Sequence, residues 1–236
     1  MGTCIITGAS SGIGRETAIA LGEKGIFTHL AMIGRDEKKL AEVKTIVEGF
    51  GKTKASFWMA DLSNPEELPD IIDEINRKIG SIDCLLNIAG YTDPQPLLTT
   101  SLENMRNTYS VNVFTPFILM RECAKYMKKG GGKILNVAST AGITPRPGWL
   151  SYASSKAALI SMSETLTEEL SEYGILIYCV SPGRCATKLR KRLAPDEDPT
   201  TIMQPNEVAK VICSLIEDNE HCLDGQNIII RKRVPK

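Results

Sequence analysis

From its third residue the chain reads Thr3-Cys4-Ile5-Ile6-Thr7-Gly8-Ala9-Ser10-Ser11-Gly12-Ile13-Gly14. This stretch joins an apolar run, predicted to be a buried strand over residues 4–7, to a predicted helix over residues 13–24. Its glycines allow a tight turn that can approach a pyrophosphate, and the N-terminus of the helix offers free N–H groups and a favourable dipole to a phosphate. A glycine turn in this place is typical of dinucleotide binding, and a purely structural turn is the alternative.

The same order of apolar run and amphipathic stretch repeats to the end of the chain. The other strands are predicted over residues 29–33, 55–60, 84–88, 133–138, 175–180 and 227–230, and the other helices over 37–50, 66–79, 102–129, 152–172 and 207–217. The strands are continuous apolar runs, as expected where helices cover both faces of a parallel sheet. We therefore predict an α/β fold: a Rossmann-type, doubly wound, parallel seven-stranded sheet with helices on both faces, in a single domain over residues 1–236.

Charge and composition argue against several classes of function. The 28 basic and 28 acidic residues cancel, so we expect neither a nucleic acid nor a membrane as partner. Seven scattered cysteines without a Cys-x-x-Cys spacing, and only two histidines, argue against a disulfide framework and against a metal site. With no signal-peptide pattern at the first residues, the expected location is the reducing cytoplasm.

Tyr152 and Lys156 are four residues apart at the predicted start of a helix, so both side chains can point at one site. A tyrosine hydroxyl has a pKa of about 10, and a cation within reach can lower it by about 1–3 units. We expect Lys156 to be that cation, so that Tyr152 can donate a proton to a carbonyl oxygen or accept one from an alcohol. Because Tyr-x-x-x-Lys often occurs by chance, a coincidental pair is the alternative.

Further motifs at fixed places relate the chain to a known family. The glycine turn has the spacing Thr-Gly-x-x-x-Gly-x-Gly, Ser139 precedes Tyr152 by thirteen residues, and the sixth predicted strand ends in Ser181-Pro182-Gly183-Arg184-Cys185-Ala186-Thr187. With Asn87-Ile88-Ala89-Gly90 after the fourth strand, the chain resembles the short-chain dehydrogenase/reductase family over nearly its whole length. The family usually has Asn-Asn-Ala-Gly there, so Ile88 is a departure.

The resemblance implies a catalytic set and a cofactor site. Ser139 would hydrogen-bond the substrate oxygen, and Asn112 would distort its helix and hold a water that links Lys156 to solvent. Asp61 would contact the adenine ring, and Thr187 the nicotinamide carboxamide or the phosphates. The residues expected to bind the cofactor are Gly8, Ser10, Ser11, Gly12, Ile13, Gly14, Arg35, Asp61, Leu62, Asn87, Ala89, Gly90, Tyr152, Lys156, Pro182, Gly183, Cys185 and Thr187.

The end of the second predicted strand selects between NAD and NADP. An acid there hydrogen-bonds the ribose 2′-hydroxyl, whereas an arginine accommodates the 2′-phosphate. Position 34 is glycine and Arg35 follows it, so we predict NADP(H). Asp36 keeps NAD(H) as the alternative, because a register shift of two would place an acid in the site. Arg35 could otherwise be a solvated surface charge.

The substrate is less well defined by the sequence. Residues 184–192 carry five basic side chains, which indicates either a solvated lid helix or a site for an anionic substrate such as a sugar phosphate, a nucleotide-linked sugar or an acyl carrier chain. Arg184 is the best single candidate for such contacts. Trp149 is expected to line the substrate pocket or, as the alternative, to pack at a subunit contact.

Three functions remain after these observations. The leading one is an NADP-dependent oxidoreductase that acts on a small-molecule carbonyl or alcohol. The others are a 3-oxoacyl-thioester (acyl-carrier-protein) reductase and, from another class, a catalytically silent NADP(H)-sensing regulator. A homodimer or homotetramer is expected.

Overall fold

Seven parallel strands form the centre of the molecule in the computed structural model, which describes residues 1–217 and 221–232. They lie in the order β3-β2-β1-β4-β5-β6-β7. The strands are β1 (Thr3–Thr7), β2 (His29–Gly34), β3 (Lys54–Met59), β4 (Ile82–Asn87), β5 (Gly132–Val137), β6 (Ile175–Pro182) and β7 (Asn227–Ile230). The predicted doubly wound seven-stranded sheet is confirmed.

Helices connect the strands and cover both faces of the sheet. They are α1 (Gly12–Lys24), α2 (Glu37–Gly49), α3 (Leu68–Ile79), α4 (Leu102–Tyr109), α5 (Thr115–Met127), α6 (Leu150–Ser171), α7 (Lys188–Leu193) and α8 (Pro205–Glu217). Apolar residues of α1, α2 and α8 pack on one face, and those of α3, α5 and α6 pack on the other. Because both faces are covered, β1 is buried along its whole length.

The strand order reverses between β1 and β4, which opens a crevice at the carboxyl ends of these two strands. The crevice is narrow: a Cβ atom on Gly8 would come within 3.0 Å of the Ala89 backbone, and Gly8 has a φ of 74°. A Cβ atom on Gly14 would lie 2.3 Å from the Gly8 carbonyl oxygen. The glycine turn therefore permits the close approach of β1, α1 and the segment after β4.

The single long helix predicted over residues 102–129 is wrong. The structure divides it into α4 and α5, joined by a π-helical turn over Ser110–Phe114 in which the Thr115 N–H donates to the Ser110 carbonyl. The extra residue in this turn displaces the backbone at Asn112, a distortion found often at functional sites. Apolar periodicity continues through such a turn, so only the family resemblance, through Asn112, indicated a distortion here.

Smaller differences concern the ends of elements. The helix that carries Tyr152 begins at Leu150, and the basic segment after β6 contains the short helix α7. No helix in the described ranges is long and apolar enough to span a bilayer. Among these same residues, no group of three or more His, Cys, Asp or Glu side chains could hold a metal ion.

Candidate functional site

A cleft of about 770 Å³ runs along the carboxyl ends of the strands. It is lined by every residue expected to bind cofactor or substrate or to act in catalysis, except Asn87 and Asn112, which lie buried behind it. The structure thus brings together residues that are separated in sequence by up to about three-quarters of the chain length, from Gly8 to Thr187. One end of the cleft lies at Arg35, and the other lies at Tyr152.

The glycine turn presents open backbone to the middle of the cleft. Ser11 precedes the first residue of α1 and makes no side-chain capping hydrogen bond in the described structure. The first N–H groups of α1 are therefore left for another acceptor, and the helix dipole favours a negative charge there. Gly12 has a φ of 56°, and a Cβ atom on it would lie 3.3 Å from the Thr187 side chain.

Tyr152 and Lys156 are both buried at the other end of the cleft. The Lys156 Nζ atom lies 6.0 Å from the centre of the Tyr152 ring, and it donates a 2.8 Å hydrogen bond to the Val137 carbonyl oxygen at the end of β5. The first turns of α6 hold the two residues on one face, as the four-residue spacing predicts.

Burial changes the proton affinity of both groups. It raises the pKa of Tyr152 above its usual value, although a hydrogen bond with Ser139 and the positive charge of Arg190 act to lower it. Burial also lowers the pKa of Lys156 to about 8. The prediction that Lys156 lowers the pKa of Tyr152 is therefore not confirmed: burial raises this pKa by more than the hydrogen bond with Ser139 and the charge of Arg190 lower it.

Ser139 lies directly after β5, with its side chain next to the tyrosine. Its hydroxyl accepts a 3.1 Å hydrogen bond from the Ala141 N–H, and it is hydrogen-bonded to Tyr152. The capping bond holds the Ser139 rotamer at the start of a short 3-10 turn over Thr140–Gly142. The two hydroxyl groups therefore converge on one place in the cleft, where each can contact a single substrate oxygen.

Asn112 braces the segment after β4 from inside the π turn. Its Oδ1 atom accepts from the Tyr91 N–H at 2.8 Å, and its Nδ2 atom donates to the Tyr91 carbonyl at 2.9 Å and to the Ser155 hydroxyl at 2.9 Å. A Cβ atom built on Gly90 would lie 3.6 Å from Asn112 Oδ1 and 3.7 Å from Lys156 Nζ. The structure thus shows the helix distortion that the resemblance implied and places Asn112 beside the same small space as Lys156.

Buried polar contacts fix the strand ends below the cleft. Asn87 Nδ2 donates to Asn136 Oδ1 at 2.9 Å, which ties β4 to β5. The Thr7 hydroxyl accepts from the Ile88 and Ala89 N–H groups at 3.0 and 3.1 Å. Thr7 belongs to the glycine motif, but the sequence alone did not indicate its role, because the residues that contact its side chain lie some eighty positions away along the chain.

Charged side chains surround the Arg35 end of the cleft. Arg35 Nη1 lies 3.6 Å from Asp61 Oδ1, and both side chains are largely exposed. Asp36 caps α2 by accepting from the Lys39 N–H at 3.2 Å and forms an ion pair with the Lys39 ammonium. A hydrogen bond from the Ser63 backbone, and secondarily Arg35, lowers the pKa of Asp61. Lys39 in the first turn of α2 also lines the cleft, and only its nearness to Arg35 in the sequence could have indicated it.

The basic segment after β6 folds back over the reaction end. Cys185 pairs with Met203 in an isolated parallel bridge, which closes the excursion that contains α7. Arg184, the predicted substrate residue, lies half exposed with Nη1 3.3 Å from Glu197. Arg190 is more deeply placed: it pairs with Glu197 through two hydrogen bonds and lies over the Trp149 ring. Arg184, Lys188 and Arg190 of this segment line the cleft, and the sequence did not indicate that Arg190 is the one held by Glu197 and Trp149.

Comparison with known proteins assigns the family. The family model described as short chain dehydrogenase matches residues 2–198. The chain belongs to the short-chain dehydrogenase/reductase family. It is 30% identical over 234 residues to a 3-oxoacyl-(acyl-carrier-protein) reductase of Thermotoga maritima, covering 95% of this chain and 94% of that one. It is 36% identical over 194 residues to a 2,3-dihydro-2,3-dihydroxybenzoate dehydrogenase of Bacillus subtilis, covering 82% and 73% of the two chains.

Solved structures of this family superpose on the whole fold. A short-chain dehydrogenase of Shigella flexneri complexed with NADP has a TM-score of 0.89 at 26% identity and covers 96% of this chain and 95% of that chain. An NAD+-bound xylitol dehydrogenase has a TM-score of 0.86 at 25% identity and covers 98% and 97%. The protein is thus an oxidoreductase of a family whose members bind either nicotinamide cofactor.

Proposed function

We propose that the protein is an NADP(H)-dependent oxidoreductase that interconverts a carbonyl compound and an alcohol, with Tyr152 as the proton donor and acceptor. The observation that carries the proposal is the convergence of Tyr152, Ser139 and Lys156 at one end of the cleft, next to Asn112. Four polar residues placed together at a buried site are costly unless they are hydrogen-bonded and used. Their positions match those that the family resemblance assigns to catalysis.

The chain offers a fitting site for the dinucleotide. The uncapped N-terminus of α1 and the glycine at position 12 would hold the pyrophosphate, and the narrow backbone at Ala89 and Gly90 would pass the ribose. Pro182, Gly183, Cys185 and Thr187 would flank the nicotinamide. When bound, the cofactor supplies the hydride.

The protein's own residues handle the substrate oxygen and its proton. A tyrosine hydroxyl is protonated at neutral pH, and burial raises the pKa of Tyr152 further, so it can donate a proton to the oxygen of a carbonyl that is being reduced. Ser139 would donate a second hydrogen bond and stabilise the charge that develops there. Lys156, with a pKa of about 8, can exchange a proton near neutral pH and would resupply the tyrosine through the space that it shares with Asn112.

The preference for NADP(H) rests on Arg35 and the groups around it. Its guanidinium is exposed at the end of β2, free to turn toward a 2′-phosphate, and Lys39 adds a second cation to the same wall. Asp36 would have to accept the ribose 2′-hydroxyl for NAD(H), but it already caps α2 and pairs with Lys39. These contacts favour NADP(H), and NAD(H) remains the alternative.

An anionic substrate is supported by the charge of the reaction end. Within the described ranges, the carboxylates that line the cleft are Asp36 and Asp61, both at the opposite end. Arg146, Arg184 and Arg190 line the reaction end. A sugar phosphate or a nucleotide-linked sugar would meet these cations, and a benzoate is named in the description of one relative.

A 3-oxoacyl-thioester reductase is the second candidate. Lys191 and Arg192 are exposed on α7 beside the mouth of the cleft, where an acidic carrier protein could dock. The Thermotoga maritima relative, which covers nearly the whole chain, carries that activity in its name. Turnover of 3-oxoacyl thioesters in preference to small keto acids and sugar phosphates would favour this candidate.

We also propose a homodimer or homotetramer. Phe114 and Phe117 are exposed close together on the π turn and the start of α5, and such apolar side chains are commonly covered in an assembly. Light scattering after size-exclusion chromatography would test this directly, and a monomer at micromolar concentration would contradict it.

The function is tested by a screen of NADPH consumption against carbonyl compounds, with NADPH binding measured in parallel. The screen includes small keto acids, sugar phosphates with a carbonyl group, 3-oxoacyl thioesters and neutral ketones. We expect turnover of at least one class. Tight NADPH binding without turnover of any class would instead support the NADP(H)-sensing regulator.

A further inference from the structure

One guanidinium in the reaction end of the cleft is held in a fixed orientation. Arg190 Nε donates to Glu197 Oε2 at 2.6 Å, and Arg190 Nη2 donates to Glu197 Oε1 at 2.7 Å. The other face of the group is covered by Trp149, since the guanidinium carbon lies 5.6 Å from the centre of that ring. An arginine held by a carboxylate and an aromatic ring loses little rotamer freedom when it binds a ligand.

The donors of Arg190 are only partly used. Glu197 occupies the edge formed by Nε and Nη2, while Nη1 has no hydrogen-bond partner in the part of the chain that the structure describes. A guanidinium has five N–H donors, so the edge formed by Nη1 and Nη2 can still donate two hydrogen bonds to one anion. Arg190 lines the cleft and Glu197 does not, so a molecule in the cleft can approach Arg190 from the side that Glu197 leaves open.

The charge of this cluster fits one monovalent anion. Arg184 and Arg190 share the single carboxylate of Glu197, which stays ionised because its hydrogen bond with Arg190 holds its pKa below the usual range. These two guanidinium groups and one carboxylate leave a net charge of +1 next to Arg190, which one carboxylate would balance. Arg146 and Lys188 also line the cleft, so inorganic phosphate is the anion against which the carboxylate has to be compared.

The site lies close to the reacting group. Trp149 comes immediately before α6 and Tyr152 lies in the first turn of that helix, so the two side chains are separated by about one helical turn, roughly 5 Å along the axis. The charge of Arg190 also reaches the Tyr152 hydroxyl. Arg190 and Tyr152 both line this cleft, so one small substrate could contact Arg190 with an anionic group and Tyr152 with its reacting oxygen.

We propose that Arg190 is a specificity-determining residue that binds a carboxylate of the substrate, and that Glu197 and Trp149 position it for this contact. The substrate class is then a compact keto acid or hydroxy acid whose carboxylate lies a few bonds from the reacting carbon. This inference rests on the proposed function and narrows its anionic substrate to a carboxylate.

The test compares two substrates that differ by one charge: 3-oxocyclohexane-1-carboxylate and its methyl ester, each reduced with saturating NADPH. We expect the acid to be preferred in kcat/KM by wild type. In Arg190→Gln, kcat/KM for the acid should fall by at least about tenfold, mainly through KM, while the ester changes by less than about threefold. Arg192→Gln is the matched control, because it removes the same charge from the exposed side of α7 and should leave the acid-to-ester ratio unchanged.

A binding measurement separates this inference from the proposed function. Benzoate is titrated into the NADPH-bound Trp58→Phe protein, in which Trp149 is the remaining tryptophan and reports occupancy through its fluorescence. We expect benzoate to bind, Arg190→Gln to weaken it by at least about tenfold, and inorganic phosphate to compete poorly. If these binding results were obtained but no carbonyl compound were turned over, the proposed oxidoreductase function would be refuted while the proposed carboxylate site at Arg190 would be supported.

The inference is overturned by any of four results. They are no benzoate binding to the Arg190-containing protein, benzoate binding that Arg190→Gln leaves unchanged, stronger binding of inorganic phosphate than of benzoate, and an equal loss of acid and ester turnover in Arg190→Gln. The last result would show that Arg190 only holds α7 against Trp149.

Discussion

At the Arg35 end of the cleft the charged side chains are exposed to solvent, whereas at the other end Tyr152, Lys156 and Asn112 are buried and hydrogen-bonded. The Arg35 and Asp61 side chains are 70% and 45% exposed. Tyr152, Lys156 and Asn112 are each at most 5% exposed. Ion pairs between exposed groups contribute little and are screened by salt, but buried polar groups must be fully paired.

This difference separates two tasks. The buried end keeps its hydroxyl and ammonium groups in place and shifts their pKa values, which is what proton transfer needs. Under the proposed NADP(H) dependence, the exposed end would only have to attract one phosphate, for which loosely held cations are sufficient. Substitutions at the buried end should therefore alter chemistry and folding together, and those at the exposed end should alter cofactor choice alone.

The largest effect is expected for Lys156→Met. Turnover should fall by about a thousandfold, because the group that resupplies the proton of Tyr152 is lost. Burial lowers the pKa of this lysine from 10.5 to about 8, which corresponds to a cost of about 3 kcal/mol for holding the charged form in the folded state. Removal of the charge should stabilise the cofactor-free protein by about 1–2 kcal/mol once the lost hydrogen bond to Val137 is subtracted.

The pH dependence of the stabilisation by Lys156→Met tests whether burial of the charge causes it. Below pH 8 the lysine is charged in both states, so the full cost is present. As pH rises from about 8 to 10.5, the folded state releases the proton before the unfolded state does, and wild type gains stability. Chemical denaturation should therefore show the advantage of Lys156→Met shrinking over this range. An advantage independent of pH would mean that packing, not charge burial, causes it.

A smaller effect is expected for Arg35→Gln. The Kd for NADPH should rise by about tenfold while the Kd for NADH stays the same, since the guanidinium contacts only the 2′-phosphate. Because Ser63 is the main cause of the lowered pKa of Asp61, that carboxylate should stay ionised in the variant. Isothermal titration of both cofactors checks this, and an equal loss for NADPH and NADH would remove the support for NADP(H).

The smallest effect is expected for Lys39→Gln, about threefold in the Kd for NADPH at low salt, because the ammonium is shared with Asp36. Lys38→Gln is its neighbour on the exposed side of α2 and should have no effect. The Lys39 effect should disappear at about 0.5 M salt. If the effect of Lys39→Gln on the Kd for NADPH persisted at high salt, the charges at the Arg35 end would not be screened by solvent, which would contradict the difference between the two ends.

The sequence predicted most of what depends on local pattern. The seven strands follow from continuous apolar runs, and the cleft residues from glycine, Asn, Ser, Tyr and Lys at family spacing. Tyr152 and Lys156 lie on one helix face because helical geometry requires it for residues four apart. These features could be predicted because each depends on neighbours in the chain or on a family motif.

What the sequence did not predict depends on distant partners. The hydrogen bonds of Asn112 to the Tyr91 backbone join residues far apart in the chain, and the pKa of Tyr152 depends on burial, on Ser139 and on Arg190. Arg184 and Arg190 carry the same charge, so the sequence could not distinguish them. They differ in position: Arg190 lies on α7 over the Trp149 ring, whereas Arg184 precedes that helix and is half exposed. Thr7 likewise gains its place in the site through tertiary contacts, with the Ile88 and Ala89 N–H groups.

The central claim, that Tyr152 carries the proton transfer, is tested most directly by a single-turnover measurement of NADPH oxidation in Tyr152→Phe with the best carbonyl substrate of the screen. We expect the Kd for NADPH to stay within about twofold of wild type and the rate of oxidation to fall by about 10³-fold, in line with the loss of a general acid. An oxidation rate close to that of wild type, with NADPH bound equally well, would contradict the account.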